Sequence, residues 1–226
     1  MSKRQEIRDR RRQEEVRKKW IAIAMVAVGV LVIFVLIMAS VVKSSDPGNI
    51  ISITPASRTA PVNKTSLGDP NAKVKVDVWE DFQCSGCLYY TENLEPQILK
   101  AYVDTGKIYY TFHFYPFIDG GQGESHDSAN AAMCATAQDR FWDYHDILFA
   151  NWIGENVGSY TKVRLIAFAQ NIGLDMTAFN QCFKDETYAD QIQQDVLAGT
   201  KLGVPPTPGI FVNGQMLLNS TGKDLI

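Results

Sequence analysis

The sequence predicts an α/β domain of the α+β sandwich type, with a helical block inserted into it and one transmembrane helix ahead of it. Three observations lead there. A run without any charge occupies residues 20–42. A strand-like stretch, Val74-Lys75-Val76-Asp77-Val78, runs through Cys84-Ser85-Gly86-Cys87 into a helical pattern. Helical patterning from Ser125 to Leu202 then gives way to two short strand-like stretches, Gly209–Val212 and Gln215–Leu218.

The first nineteen residues hold nine Lys or Arg and four Asp or Glu, a net of +5, which leaves −8 for the rest of a chain whose total is −3. From Trp20 to Val42 the residues are uncharged and almost all apolar. As a helix this run reaches about 34 Å, enough to cross a hydrocarbon layer about 30 Å thick. A cleaved signal peptide has a shorter apolar region and a small-x-small cleavage site, which Ile37-Met38-Ala39 fits poorly, so an uncleaved anchor is expected. The basic flank of residues 1–19 belongs in the cytoplasm, which places everything after Lys43 outside the plasma membrane. The acidic balance of that outer part excludes a nucleic-acid role, because phosphate binding needs a clustered basic surface. Residues 43–65 are rich in Pro, Ser, Thr and small residues and read as a linker, with Ile50, Ile51 and Ile53 available for a brief extended contact.

Residues 66–226 suit one domain with its own core. In the first strand the valines alternate with polar residues at the period of 2. Leu94, Ile98 and Tyr102 recur at i, i+4, i+8 on the following helix, which Pro96 should bend or break. Asp104-Thr105-Gly106 ends it, and Lys107–Phe114 is a β-rich, partly buried strand. Gly120, Gly121 and Gly123 mark a loop. The inserted helical block spans about residues 122–202. In it Leu165, Phe168, Ala169 and Ile172 form one apolar face, with Gly173 at the C-terminal cap position and Asp175 placed to cap the next helix. Tyr188, Ile192 and Val196 form a further stripe. Eight residues follow Leu218, room for at most a turn or two of any helix covering the sheet.

Two cysteines thus sit where a strand hands over to a helix. A thiol in the first helical turn feels unpaired N–H groups and the positive end of the helix dipole, both of which favour thiolate. Cys84 is therefore the expected nucleophile, and Cys87, one turn further in and less exposed, the thiol that resolves its mixed disulfide. Half of a zinc site is the competing reading. Zinc wants about four ligands, commonly two such pairs, and no second pair is present. No metal and no cofactor beyond the Cys84–Cys87 disulfide are expected. The three histidines read as structural, His145 above all.

Taken together, Asp81-Phe82-Gln83-Cys84-x-x-Cys87, Phe141-Trp142-x-Tyr144-His145-Asp146-x-Leu148-Phe149, Gly173-Leu174-Asp175 and Thr207-Pro208-x-x-Phe211-Val212-Asn213-Gly214 resemble the DsbA-like thiol:disulfide oxidoreductases of the thioredoxin superfamily over about residues 66–218. The resemblance implies a thioredoxin-like fold and a cis-proline at Pro208. With Thr207, that proline would hold an extended substrate against the cysteine pair. Cys134 and Cys182, read alone, are either buried free thiols or a bridge; the resemblance implies a structural disulfide between them. It also implies a dithiol oxidase acting on exported protein or peptide thiols, reoxidised by a quinone-linked membrane partner of the DsbB or vitamin K epoxide reductase-like type. A reductase or isomerase of the same compartment, and a non-catalytic thioredoxin-fold chaperone or assembly factor, are the alternatives. Two departures matter. Ser85-Gly86 stands where many relatives have proline, then histidine or an aromatic residue. Val78 stands where many carry an acid, and the nearby Asp77, Glu80 and Asp81 each read better as solvated groups than as proton relays.

Overall fold

The computed structural model of the chain describes residues 3–44, 46–119 and 123–217. It divides into a helical unit up to Asp46 and a compact unit from Pro47 onward. The first is one helix, α1 (Lys3–Ser44). Its stretch Arg12–Met38 is long and apolar enough to cross a membrane, with a mean hydropathy of 3.2 in its most apolar window. The basic segment that precedes the charge-free run is therefore helical as well.

The compact unit is built on a six-stranded sheet, β1 (Val62–Asn63), β2 (Ser66–Gly68), β3 (Val74–Glu80), β4 (Ile108–Phe114), β5 (Gly209–Val212) and β6 (Gln215–Met216), in the order β1-β2-β4-β3-β5-β6. β3 and β4 run parallel, with Val78 opposite Phe112, and the remaining pairings are antiparallel. Strand alternation sorts the side chains. Val76, Val78 and Glu80 share one face with Tyr110, Phe112 and Phe114, all buried. Asp77, Trp79 and His113 lie on the other. The stretch read as a linker joins this unit earlier than composition suggests. β1 pairs with β2, Asn151 hydrogen-bonds both the N–H and the carbonyl of Ile51 at 2.7 and 2.9 Å, and Ile50 and Ile53 pack on the core. Proline and small residues here favour an extended path rather than a free one.

The active-site helix is interrupted as its proline requires. α2 (Ser85–Asn93) ends, and α3 (Glu95–Ile98) starts again with Pro96 in its first turn, where no N–H is needed. It runs on as one wide turn over Leu99–Val103, in which the Asp104 N–H reaches back five residues to Leu99. The inserted block holds α4 (Glu124–Thr136), α5 (Phe141–Ala150), α6 (Lys162–Asn171), α7 (Met176–Asp185) and α8 (Ala189–Leu202). Asp175 caps α7 by accepting the N–H groups of Thr177 and Ala178, and Thr161 caps α6. Cys134 of α4 and Cys182 of α7 are joined in a disulfide. Gly120, Gly121, Leu218 and the tail beyond lie outside the described residues.

Candidate active site

Cys84 is the N-cap of α2. Its backbone is extended, and no side chain caps the helix from this position. The N–H groups at the start of α2 are left for other acceptors, among them the Cys84 sulfur itself. Both cysteines stand as free thiols, Cys84 7% exposed and Cys87 fully buried. Across from them the Thr207–Pro208 peptide is cis, and the Cys84 thiol lies 3.3 Å from the Thr207 carbonyl oxygen. Gly86 reflects this close approach. A Cβ there would stand 3.2 Å from that oxygen, 3.4 Å from the Cys84 sulfur and 3.4 Å from Pro208 Cδ. Strand-to-helix loop and proline loop thus meet at one sulfur atom.

Electrostatics separates the two thiols. A hydrogen bond from the Cys87 thiol, supported by the N–H groups of Cys87 and Gly86 and opposed by burial, lowers the Cys84 pKa to about 6. Burial, the hydrogen bond to Cys84 and the carboxyl of Glu80 push Cys87 well above its ordinary range. Near neutral pH the pair is therefore one thiolate and one thiol.

Glu80 faces Cys87 from the end of β3. It is 1% exposed, and among the described residues no group meets its carboxyl oxygens at full hydrogen-bond geometry, the Cys87 thiol being the polar group that interacts with them. Burial, and then the nearby Glu95, raise its pKa well above the usual carboxylate range. Glu95 is buried too and accepts a hydrogen bond from Tyr110 at 2.9 Å. His145, fully buried among Phe82, Phe112, Phe141, Trp142 and Phe149, places its Nε2 4.0 Å from Glu95. Asp146 holds its Nδ1 at 3.0 Å and Arg58 at 2.8 Å. Ligand-type atoms of Glu80, Glu95 and His145 lie within 4.8 Å of one another. Tyr110 donates to the Glu95 carboxylate, and the Cys87 thiol lies beside that of Glu80.

The expectation that Asp77, Glu80 and Asp81 are solvated is corrected for two of them. Glu80 shares strand parity with Val76 and Val78, and that signal already pointed it inward. Asp81 is 1% exposed and serves as a loop anchor. Its carboxylate accepts the N–H groups of Gln83, Phe117 and Ile118 at 2.9, 2.8 and 2.8 Å and the Ser125 hydroxyl at 2.8 Å. Asp77 remains part-exposed and contacts His113 at 3.0 Å. Gln83 completes the anchor. Its side-chain oxygen accepts the Asn156 N–H at 2.6 Å, and its carbonyl accepts the Trp152 indole N–H at 2.8 Å. The roles of Gln83, Glu95 and Trp152 were not legible in the sequence, since all rest on contacts between distant segments.

A strand–Cys-x-x-Cys–helix junction facing a cis-proline loop defines a thioredoxin-type thiol:disulfide site. The sequence model of the thioredoxin family matches residues 61–225, and the chain belongs to that family, within it to the DsbA-like protein thiol:disulfide oxidoreductases. Disulfide bond formation protein D of Bacillus subtilis (strain 168) is 26% identical over 197 residues, covering 81% of each chain. The crystal structure of oxidised BdbD from Bacillus subtilis shares the fold, with a TM-score of 0.64 at 24% identity over 78% of this chain and 94% of that one. Wolbachia pipientis alpha-DsbA1 is 30% identical with a TM-score of 0.54, over 68% of this chain and 76% of its own.

Proposed function

We propose that this protein is a dithiol oxidase, anchored in the plasma membrane by α1, that introduces disulfides into exported proteins. The observation that carries this reading is the split between Cys84, held as thiolate, and Cys87, held as thiol. Stabilising the thiolate stabilises the reduced protein and makes its disulfide the stronger oxidant. The names of the relatives that form disulfide bonds point the same way.

In the reaction, a substrate thiolate attacks Cys84 Sγ of the Cys84–Cys87 disulfide. The S–S bond breaks and Cys87 leaves as thiolate, taking a proton from the protonated Glu80 carboxyl beside it. The second substrate thiolate attacks the substrate sulfur of the mixed disulfide and expels Cys84 as thiolate. The substrate is oxidised by two electrons and the protein gains them. Buried and beside free thiols, Glu80 holds a raised pKa, so it regains a proton from solvent once Cys87 is protonated, and reduction as a whole takes up two electrons and one proton. Thr207 and Pro208 line the approach to Cys84 and would hold the substrate as an extended strand, bound through its backbone and so with broad tolerance. No cofactor beyond the Cys84–Cys87 pair is called for. Reoxidation falls to a quinone-linked membrane partner of the DsbB or vitamin K epoxide reductase-like type.

The basic start of α1 argues for a cytoplasmic N-terminus and an extracytoplasmic domain. Protease added to intact spheroplasts should digest the domain after Lys43 while sparing cytoplasmic markers. A protected domain, or a soluble product cleaved near Ala39, would contradict the anchored topology.

A further inference from the structure

One contact at the active-site helix comes from far away in the chain. The N–H of Ser85, the first residue of α2, is 3.2 Å from the carboxylate of Glu155, seventy residues on. α2 has no acidic residue of its own in its first turn, and the sulfur of its N-cap, Cys84, faces the N–H groups of Gly86 and Cys87 rather than that of Ser85. The acceptor is thus supplied by the loop between α5 and α6, and that loop is held in place. Trp152 and Asn156 bind Gln83, next to Cys84, at 2.8 and 2.6 Å. Ser159 ties Ile153 to Gly154, and Glu124 accepts the Gly158 N–H at 2.8 Å. Gly154 and Gly158 have φ of +137° and +93°, where L side chains are strained, and a Cβ on Gly154 would strike Val157 at 2.8 Å.

We propose that Glu155 is a positioning residue that sets the redox poise of the Cys84–Cys87 pair, its carboxylate opposing the Cys84 thiolate at the same helix N-terminus. Reduction of the disulfide adds two electrons and one proton and leaves Cys84 negative and Cys87 protonated. Glu155 is therefore repelled by the new charge in the reduced form and stabilised by the helix dipole without that opposition in the oxidised form. It favours the disulfide and makes the protein a milder oxidant than its thiolate alone would. This supplies the restraint that Ser85-Gly86, with no charged side chain, does not. Buried Glu80 also interacts with Cys84, but its hydrogen-bonding contact is with Cys87.

The inference rests on Cys84 being the reacting thiol, and the test separates the two. Glu155→Gln keeps an oxygen acceptor for the Ser85 N–H and removes the charge; Glu155→Lys reverses it. In the full chain, the pH dependence of thiolate absorbance and of alkylation, with peptide mapping of the alkylated cysteine, reads the Cys84 pKa. A glutathione titration reads the equilibrium constant. Glu155→Gln should lower the Cys84 pKa and shift the constant about three- to tenfold towards stronger oxidation, about 15–30 mV. Glu155→Lys should shift both further, and salt near 1 M should contract the differences, since the screening length falls to about 3 Å. An unchanged pKa and constant in both variants, with mapping still at Cys84, would overturn the proposal and leave Glu155 a mere cap. Mapping at Cys87 instead would refute the assignment of Cys84 and the proposal with it.

Discussion

The molecule holds two cysteine pairs that differ in almost everything but their sulfur atoms. Cys134 and Cys182 join two helices of the inserted block. Cys84 and Cys87 stand on one helical turn at its N-terminus, opposite the Thr207–Pro208 loop and in front of Glu80. The first pair stands closed and ties α4 to α7 across 48 residues of chain. The second is built around one thiolate and one thiol. The contrast teaches that what separates a structural disulfide from a reactive one is the surroundings of the reduced state, not the bond.

Exchanging single sulfurs breaks this contrast most sharply. Cys84→Ser should abolish disulfide transfer to a reduced peptide, a loss of about 10³-fold or more in rate, with the melting temperature nearly unchanged. Cys134→Ala should do the opposite. Turnover per folded molecule survives, while chemical denaturation shows a loss of about 2–5 kcal/mol. Retained activity in the first variant, or lost activity in a folded second one, would erase the distinction between the pairs.

Glu80→Gln sharpens the account of Cys87. The amide cannot give up a proton to the leaving thiolate, and stopped-flow reduction of the disulfide should slow on the order of 10²-fold. The potential should move much less than the rate. A rate equal to that of the wild type would leave Glu80 without a part in the reaction.

The pH dependence of the reduced form follows from Cys84. Its folded pKa of about 6 lies below the free-thiol value of about 8.5. A depressed group contributes stability that is fully present above the unfolded value and is lost as pH falls through the folded one. Reduced protein should therefore gain about 3 kcal/mol between pH 6 and pH 8.5 relative to reduced Cys84→Ser. Denaturant titrations at the two pH values read this difference, and identical pH profiles would contradict it.

A smaller effect concerns the opposite face of the sheet, where α8 packs on β4. His113 stacks on Trp79 at 4.3 Å and is clasped by Asp195 of α8 and Asp77 at 3.3 and 3.0 Å. Burial opposes its cation, but the two aspartates outweigh burial and raise the pKa to about 9. Such a group stabilises the fold fully below its unfolded value of about 6.5 and loses that contribution as pH rises through 9. Wild type should thus lose about 2–3 kcal/mol towards pH 10 that His113→Asn does not lose. Parallel melting curves across that range would show that the clasp adds nothing.

How far the site could be read in advance depended on distance along the chain. The Cys84–Cys87 junction is local: alternating valines, a turn and a helix start place both thiols within a few residues. The return loop at Thr207-Pro208 and the Phe141–Phe149 helix carry compact signals of their own. Glu80 was half-legible, since its parity with Val76 and Val78 pointed inward although its charge suggested solvent. Glu95 and Glu155 were not legible. A glutamate beside a proline and one in a glycine-flanked loop look like surface residues until the fold brings them to Tyr110 and Ser85. In the stretch read as a linker, residues 43–65, the contact expected near Ile50, Ile51 and Ile53 is present, with Asn151 on Ile51, while the hold of Arg164 on Pro47 and Asn49 could not be read from composition.

The most direct test of the central claim is the thiolate titration of Cys84 made together with the glutathione equilibrium of the Cys84–Cys87 pair. The account predicts that Cys84 titrates at about 6, with a potential well above the roughly −270 mV of thioredoxin, towards the roughly −120 mV of strong oxidants. A Cys84 pKa near 8.5 with a potential near −270 mV would contradict it and identify a reductase.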